Sequence, residues 1–254
     1  MKNYLFIVVF AFFLLSFSAN SQTENSSTLL VAFENEIPPS MVSAYEEVSK
    51  REKAIFKKLN YPRSYFVYQT EDFHYWWILQ IKDLNDFEKL VQELGSFIVL
   101  MEKEEGFVFG NEFKGKTKYM KPMIFQYLPD LSCMPGGSIK FDQAQYFRWG
   151  FCYVKVGIEN EFQEKFEKMA EMMIAKEIEM GWNLYTGVLG TENPFYMWGE
   201  IYDSSLEMET KRADAFKKLG EEFIALWNET LPYIRKLEIK EGWYRPDLSY
   251  IIED

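Results

Sequence analysis

The sequence has 254 residues, 48% of them hydrophobic and 26% charged, ordinary values for a folded chain that exclude disordered, collagen-like and coiled-coil classes. With 28 basic against 39 acidic residues the formal net charge is −11, and a surface of that sign repels nucleic-acid backbones and anionic lipid. A single histidine, His74, and two cysteines, Cys133 and Cys152, exclude His-rich and Cys-rich metal sites, whereas aromatic residues, at 18%, are in excess.

The chain opens with Met1-Lys2-Asn3, an apolar run from Tyr4 to Leu15, and small residues Ala19 and Ser21 before Gln22. This is the three-part layout of a secretory signal peptide over residues 1–21, and the run is shorter than the ~20 apolar residues a bilayer crossing needs. The expected mature protein is soluble and exported, periplasmic or extracellular, with no membrane partner after cleavage. In such a compartment Cys133 and Cys152 could pair, and their spacing does not decide the matter. Thr28 to Phe33 is β-prone. Pro38-Pro39-Ser40 then opens a helix whose apolar positions Met41, Tyr45, Val48, Ile55 and Leu59 follow three-and-four spacing, ended by Asn60 and Pro62. Tyr65 to Thr70 and His74 to Lys82 form an aromatic hairpin around Glu71-Asp72, Asp83 caps a helix to about Met101, and a last strand runs from about Met120 to Tyr127. The order then repeats: strand Gln145 to Val156, helix Glu161 to Met180, hairpin Asn183 to Tyr202, long helix Ser205 to about Arg235, strand Lys236 to Tyr244.

The repetition is also visible residue by residue. Thr70-Glu71-Asp72-Phe73-His74-Tyr75-Trp76-Trp77 returns 121 positions later as Thr191-Glu192-Asn193-Pro194-Phe195-Tyr196-Met197-Trp198. Tyr127-Leu128-Pro129-Asp130-Leu131-Ser132 returns 117 positions later as Tyr244-Arg245-Pro246-Asp247-Leu248-Ser249. A period this long marks two whole units rather than a solenoid. The expected division is a first unit over 22–132, a Pro, Gly and Ser-rich linker over 133–144, and a second unit over 145–254. Each unit reads βαββαβ, an α+β class in which two helices cover one face of a four-stranded antiparallel sheet and the other face must be buried. Two such ferredoxin-like repeats can cover each other. The arrangement resembles the dimeric α/β-barrel superfamily, and the resemblance implies sheets that close into a barrel. That superfamily includes cofactor-less monooxygenases, lyases, and haem enzymes of the chlorite dismutase and dye-decolorising peroxidase groups, so the fold implies no single function.

Alternation along the third strand of each unit places Tyr75, Trp77, Leu79 and Ile81 on one face, matched by Tyr196, Trp198, Glu200 and Tyr202. The opposite face, with Trp76, Ile78, Met197 and Gly199, reads as the one packed on helices, which directs the Tyr/Trp face into the barrel. The leading expectation is a small apolar or aromatic ligand held there, with Tyr75, Trp77, Tyr196 and Trp198 as stacking surfaces and Glu200 as polar anchor, and with no cofactor. The alternatives are a cofactor-less oxygenase or lyase using Glu200 or a tyrosine as acid/base group, and a structural or interaction protein with a filled barrel. His74 matches Phe195 and sits beside the hairpin turn, which reads as a core or turn residue rather than a haem ligand. Gly110-Asn111-Glu112-Phe113-Lys114-Gly115-Lys116-Thr117 fits the phosphate-loop pattern formally, but Pro122 and the β-like run after it leave no room for the required helix. Oligomeric state is open, including whether the barrel closes within one chain or between two.

Overall fold

The computed structural model describes residues 28–134 and 145–252. The expected leader lies outside them, as does most of the expected linker. The first repeat contains β1 (Leu29–Glu36), α1 (Val42–Lys58), β2 (Phe66–Thr70), β3 (His74–Ile81), α2 (Leu84–Glu105), the short α3 (Phe109–Glu112) and β4 (Tyr119–Tyr127). The second contains β5 (Tyr146–Val154), α4 (Glu159–Ala175), β6 (Asn183–Leu189), β7 (Phe195–Tyr202), α5 (Ser205–Thr230) and β8 (Ile234–Tyr244). The two long second helices begin alike: Asp83 accepts the backbone N–H of Asp86 at 2.8 Å and Ser204 accepts that of Glu207 at 3.2 Å. These N-caps, 121 residues apart, satisfy donors that the first helical turn leaves open. Helix α5 is not the continuous rod the periodicity suggests. At Gly220 (φ 73°, ψ −166°) it breaks, and the Lys176 ammonium donates to the carbonyl of Leu219 at 2.6 Å.

The eight strands form one closed antiparallel barrel in the order β1-β3-β2-β8-β5-β7-β6-β4, so closure occurs within the chain. Each repeat contributes one four-stranded sheet, joined at two seams. At one, Tyr68, Gln69 and Thr70 pair with Tyr244, Trp243 and Gly242; at the other, β4 pairs with β6. The first seam requires a glycine, because a Cβ on Gly242 would lie 1.9 Å from the carbonyl oxygen of Gln69. The second copy of the repeated Tyr-x-Pro-Asp-Leu-Ser block explains how the halves lock. Ser249 Oγ accepts the N–H of Val67 at 2.8 Å and donates to the Arg245 carbonyl, while Ser132 Oγ accepts the N–H of Leu184 at 2.9 Å and donates to the Leu128 carbonyl. Each repeat's tail is thus latched to a hairpin strand of the other.

Three apolar cores result. Helices α1 and α2 pack on the outer face of the first sheet around Tyr45, Tyr75, Leu90 and Met101, and α4 and α5 pack on the second around Phe162, Met173, Tyr196 and Leu219. The third fills the barrel with Trp76, Ile78, Phe147, Trp149, Phe151 and Met197 among others. The expected orientation of the strands is therefore reversed: Tyr75, Trp77, Tyr196 and Trp198 face the helices, and Trp76, Ile78 and Met197 face the interior. Both faces are buried and apolar, so period-two alternation separates them without saying which is inside. Strand β5 supplies the physical reason for the observed choice. It sends Phe147, Trp149 and Phe151 inward and Arg148 outward, and Arg148 pairs in register with Glu200, which carries β7's Tyr/Trp face outward with it. Cys133 and Cys152 are both buried free thiols in the second outer core.

Candidate functional site

The reversal moves the aromatic face from the barrel lumen to the space under the helices, and there each repeat holds a cavity. In the first repeat it measures about 460 Å³ and is lined by Asn35 of β1, Tyr45, Glu52 and Phe56 of α1, and Trp77 and Leu79 of β3. Ile98 of α2 and, from the stretch that leads into β4, Phe109, Phe113, Lys114, Thr117 and Met120 complete the wall. The stretch Gly110 to Thr117 forms that wall as α3 and a turn running into β4, with no helix after Thr117; its phosphate-loop reading fails on this geometry.

Glu52 is the chemically unusual group. It sits 6% exposed on the apolar stripe of α1, among Val48, Ile55 and Phe56, and no described residue gives its carboxyl a hydrogen bond or an ion pair. Burial alone raises its pKa to about 8. Around it stand phenols: Tyr45 accepts a hydrogen bond from Trp77 Nε1 at 2.8 Å, and the hydroxyls of Tyr61 and Tyr65, with Asn35 Oδ1, are buried without a protein partner. Desolvation pushes the Tyr45, Tyr61 and Tyr65 phenols above their usual range, so they stay protonated as donors. Such a site can hold a flat apolar molecule, hydrogen-bond its oxygens, and exchange a proton with it through Glu52.

Tyr75 is next to this cavity but committed elsewhere: its hydroxyl donates to Glu46 Oε1 at 2.6 Å, and Glu46 also receives the Arg245 guanidinium, which holds its carboxyl below the usual range. In the second repeat the cavity is about 260 Å³ and includes Trp182, Trp198, Glu200 and Arg212. There Glu200 is saturated, accepting from Tyr202 OH at 2.7 Å, Trp198 Nε1 at 3.2 Å and Arg212 Nη1 at 2.8 and 2.6 Å. Tyr196 receives Gln163 Nε2 at 2.6 Å. The five expected site residues therefore divide into Trp77 at the larger cavity, Trp198 and Glu200 at the smaller, and Tyr75 and Tyr196 hydrogen-bonded to helices α1 and α4.

Glu52 lies off the strand faces that the alternation singles out, although two signals in the sequence mark it. It interrupts the apolar stripe four positions after Val48, and its repeat counterpart 121 positions on is the buried Met173. A carboxylate where the sister unit has a core methionine is unexplained by packing.

Among the described residues no group of three His, Cys, Asp or Glu side chains is placed to hold a metal, and no helix is long and apolar enough to cross a membrane. His74 lies at the barrel mouth with Nδ1 2.9 Å from Asp72 Oδ1. It faces away from both helix-side cavities, so the residues present do not fit a histidine-ligated haem in either.

No protein-family model matches the sequence, and no curated protein does. Solved structures match the fold along most of its length. An anthrone oxidase-like protein superposes with a TM-score of 0.57 at 14% identity, covering 87% of this chain and 92% of its own. A monooxygenase candidate from Lactobacillus acidophilus gives 0.52 at 10%, covering 88% and 96%. Chlorite dismutase from Candidatus Nitrospira defluvii, in complex with imidazole, gives 0.52 at 11%, covering 89% and 93%. The chain shares the dimeric α/β-barrel fold with these proteins.

Proposed function

We propose that the protein binds a small, largely apolar aromatic molecule in the helix-side cavity of the first repeat, with Trp77 as a stacking wall and Glu52 as the group that exchanges a proton with it. The observation that carries this reading is the unpartnered Glu52 carboxyl, with its pKa raised to about 8, on the wall of an apolar cavity of about 460 Å³. A fold needs no such group, and burying it without a partner costs stability.

The same carboxyl favours a second, catalytic reading of the oxygenase kind. Once ionised, a carboxylate of that basicity can take a proton from an activated ring CH2 of an enolisable aromatic ketone. The resulting carbanion passes its electrons to dioxygen, the CH2 becomes a carbonyl, and one water leaves. The fold shared with an anthrone oxidase-like protein and a monooxygenase candidate is consistent with that chemistry, and the reading needs no group beyond dioxygen.

Anthrone is the probe for both readings. Turnover means quinone formation with dioxygen uptake, kcat/KM rising with pH toward about 8, and loss of rate in Glu52→Gln with binding retained. Binding without turnover leaves a carrier. Absence of binding to the native protein and to Glu52→Gln removes the proposal. We place this activity outside the cytoplasm, on the three-part layout of residues 1–21; a mature N-terminus at Gln22 in the exported fraction tests the placement.

A further inference from the structure

On the other face of β3, at the mouth of the barrel, lies a separate cavity of about 350 Å³ with a different chemistry. Its floor is a cross-strand row. Glu34 of β1 stands directly opposite Trp76 of β3 on one side and directly opposite Lys121 of β4 on the other. Residues so paired have side chains about 5 Å apart at their roots, close enough for direct contact. Yet Glu34 and Lys121 form no ion pair. Lys121 has no hydrogen-bond or ion-pair partner among the described residues, and the Trp76 Nε1 donor is buried with no acceptor. Glu34 is 7% exposed, with the His74 ring at 3.9 Å and the Tyr119 phenol hydrogen-bonded to its carboxyl.

The other charges of the mouth are already satisfied. Lys240 pairs with Asp72 at 2.9 Å, and Lys236 with Glu238 at 3.1 Å, while Glu238 also accepts the Tyr153 hydroxyl at 2.8 Å. Among the described residues Lys121 is thus left without a partner beside a Glu34 whose carboxyl meets only the Tyr119 phenol and the His74 ring, next to an unused N–H, with Phe151 and Phe195 as apolar wall. We propose that the barrel mouth binds a free α-amino acid with an apolar side chain, its ammonium on Glu34, its carboxylate on Lys121 and the Trp76 indole, and its side chain against Phe151 and Phe195. An α-amino acid carries a positive donor and a negative acceptor one carbon apart, matching charges presented from adjacent strands. A simple acid or a simple amine would leave one of the two without its counter-charge. This site does not depend on the helix-side reading, since β3 separates the two.

Calorimetric titration with L-phenylalanine, L-phenylalaninamide and N-acetyl-L-phenylalanine tests the proposal on the native protein. L-phenylalanine binds, and each blocked form binds about tenfold more weakly or less. Lys121→Met and Glu34→Gln weaken L-phenylalanine by a similar factor, Trp76→Phe weakens it several-fold, and Glu52→Gln leaves it unchanged. No heat with L-phenylalanine, equal binding of the three compounds, or full affinity in both Lys121→Met and Glu34→Gln overturns it. If the buried-site variants do not fold, the compound series and the half-buried Lys121→Met decide alone.

Discussion

Glu52 and Trp77 are the residues on which the helix-side site rests, and each makes a prediction of its own. A carboxyl whose pKa is about 8 when folded and near 4.5 when unfolded is protonated in both states at low pH, where it contributes no pH dependence. Between those values the folded state holds a proton that the unfolded state has lost, so stability falls as pH rises, by about 1.4 kcal/mol per pH unit, and levels off above about 8. In Glu52→Gln that component of the slope is absent. Urea melts of both proteins at pH 5, 6.5 and 8 measure it, and parallel curves would mean that Glu52 ionises normally. The reversed strand faces make a second residue-scale prediction. Phe147→Ala empties part of the filled barrel and costs about 3–5 kcal/mol, whereas Trp77→Ala enlarges an existing cavity and costs clearly less. Equal losses would return Trp77 to ordinary core.

At the scale of elements, the break in α5 is a test of backbone alone. A Cβ on Gly220 meets nothing within 4 Å, so Gly220→Ala introduces no clash, only a residue in a region that side chains avoid. The expected cost is about 1–3 kcal/mol by thermal or urea unfolding, and a neutral or stabilising result would mean that the helix runs straight through. The break was invisible to apolar periodicity, which continues across it. Element order, the cap at Asp83 and the hairpins were legible because each rests on local chemistry. Which sheet face lies inside was not, because that depends on the register of β5 against β7, a long-range pairing that places Arg148 opposite Glu200. The ion pair of Glu200 was hidden for the same reason: its partner Arg212 lies on a helix whose packing the sequence alone does not reveal. Removing Glu200 as Glu200→Gln leaves the Arg212 and Arg148 guanidinium groups close together and costs about 3 kcal/mol, without altering affinity at the helix-side cavity. A loss of that affinity at unchanged stability would contradict the separation of the two cavities.

For the whole molecule, the tails are as important as the sheets. The Tyr-x-Pro-Asp-Leu-Ser block was readable as a repeat, but its work, latching each unit to the other's hairpin through Ser132 and Ser249, appears only when the barrel closes. Because each repeat's outer core includes residues from the other's tail, such as Leu248 and Tyr250 in the first and Leu131 and Cys133 in the second, the two repeats unfold together. Ser249→Ala and Ser132→Ala each lower stability by about 1–2 kcal/mol while fluorescence and circular dichroism still report one coincident transition. Two separated transitions would show that the repeats are independent domains. The division of labour follows from the same asymmetry: Glu52 stands where the second repeat has Met173, and Glu200 stands where the first has Leu79. One repeat therefore keeps an unpartnered carboxyl beside a cavity, and the other closes its carboxyl into an ion pair. The most direct measurement of that account is a crystal structure of the protein soaked with anthraquinone. The account predicts the rings against Trp77 with an oxygen within hydrogen-bond distance of Glu52, under helices α1 and α2. Rings lodged in the barrel lumen or in the second repeat, or a helix-side cavity that stays empty at saturating ligand, would contradict it.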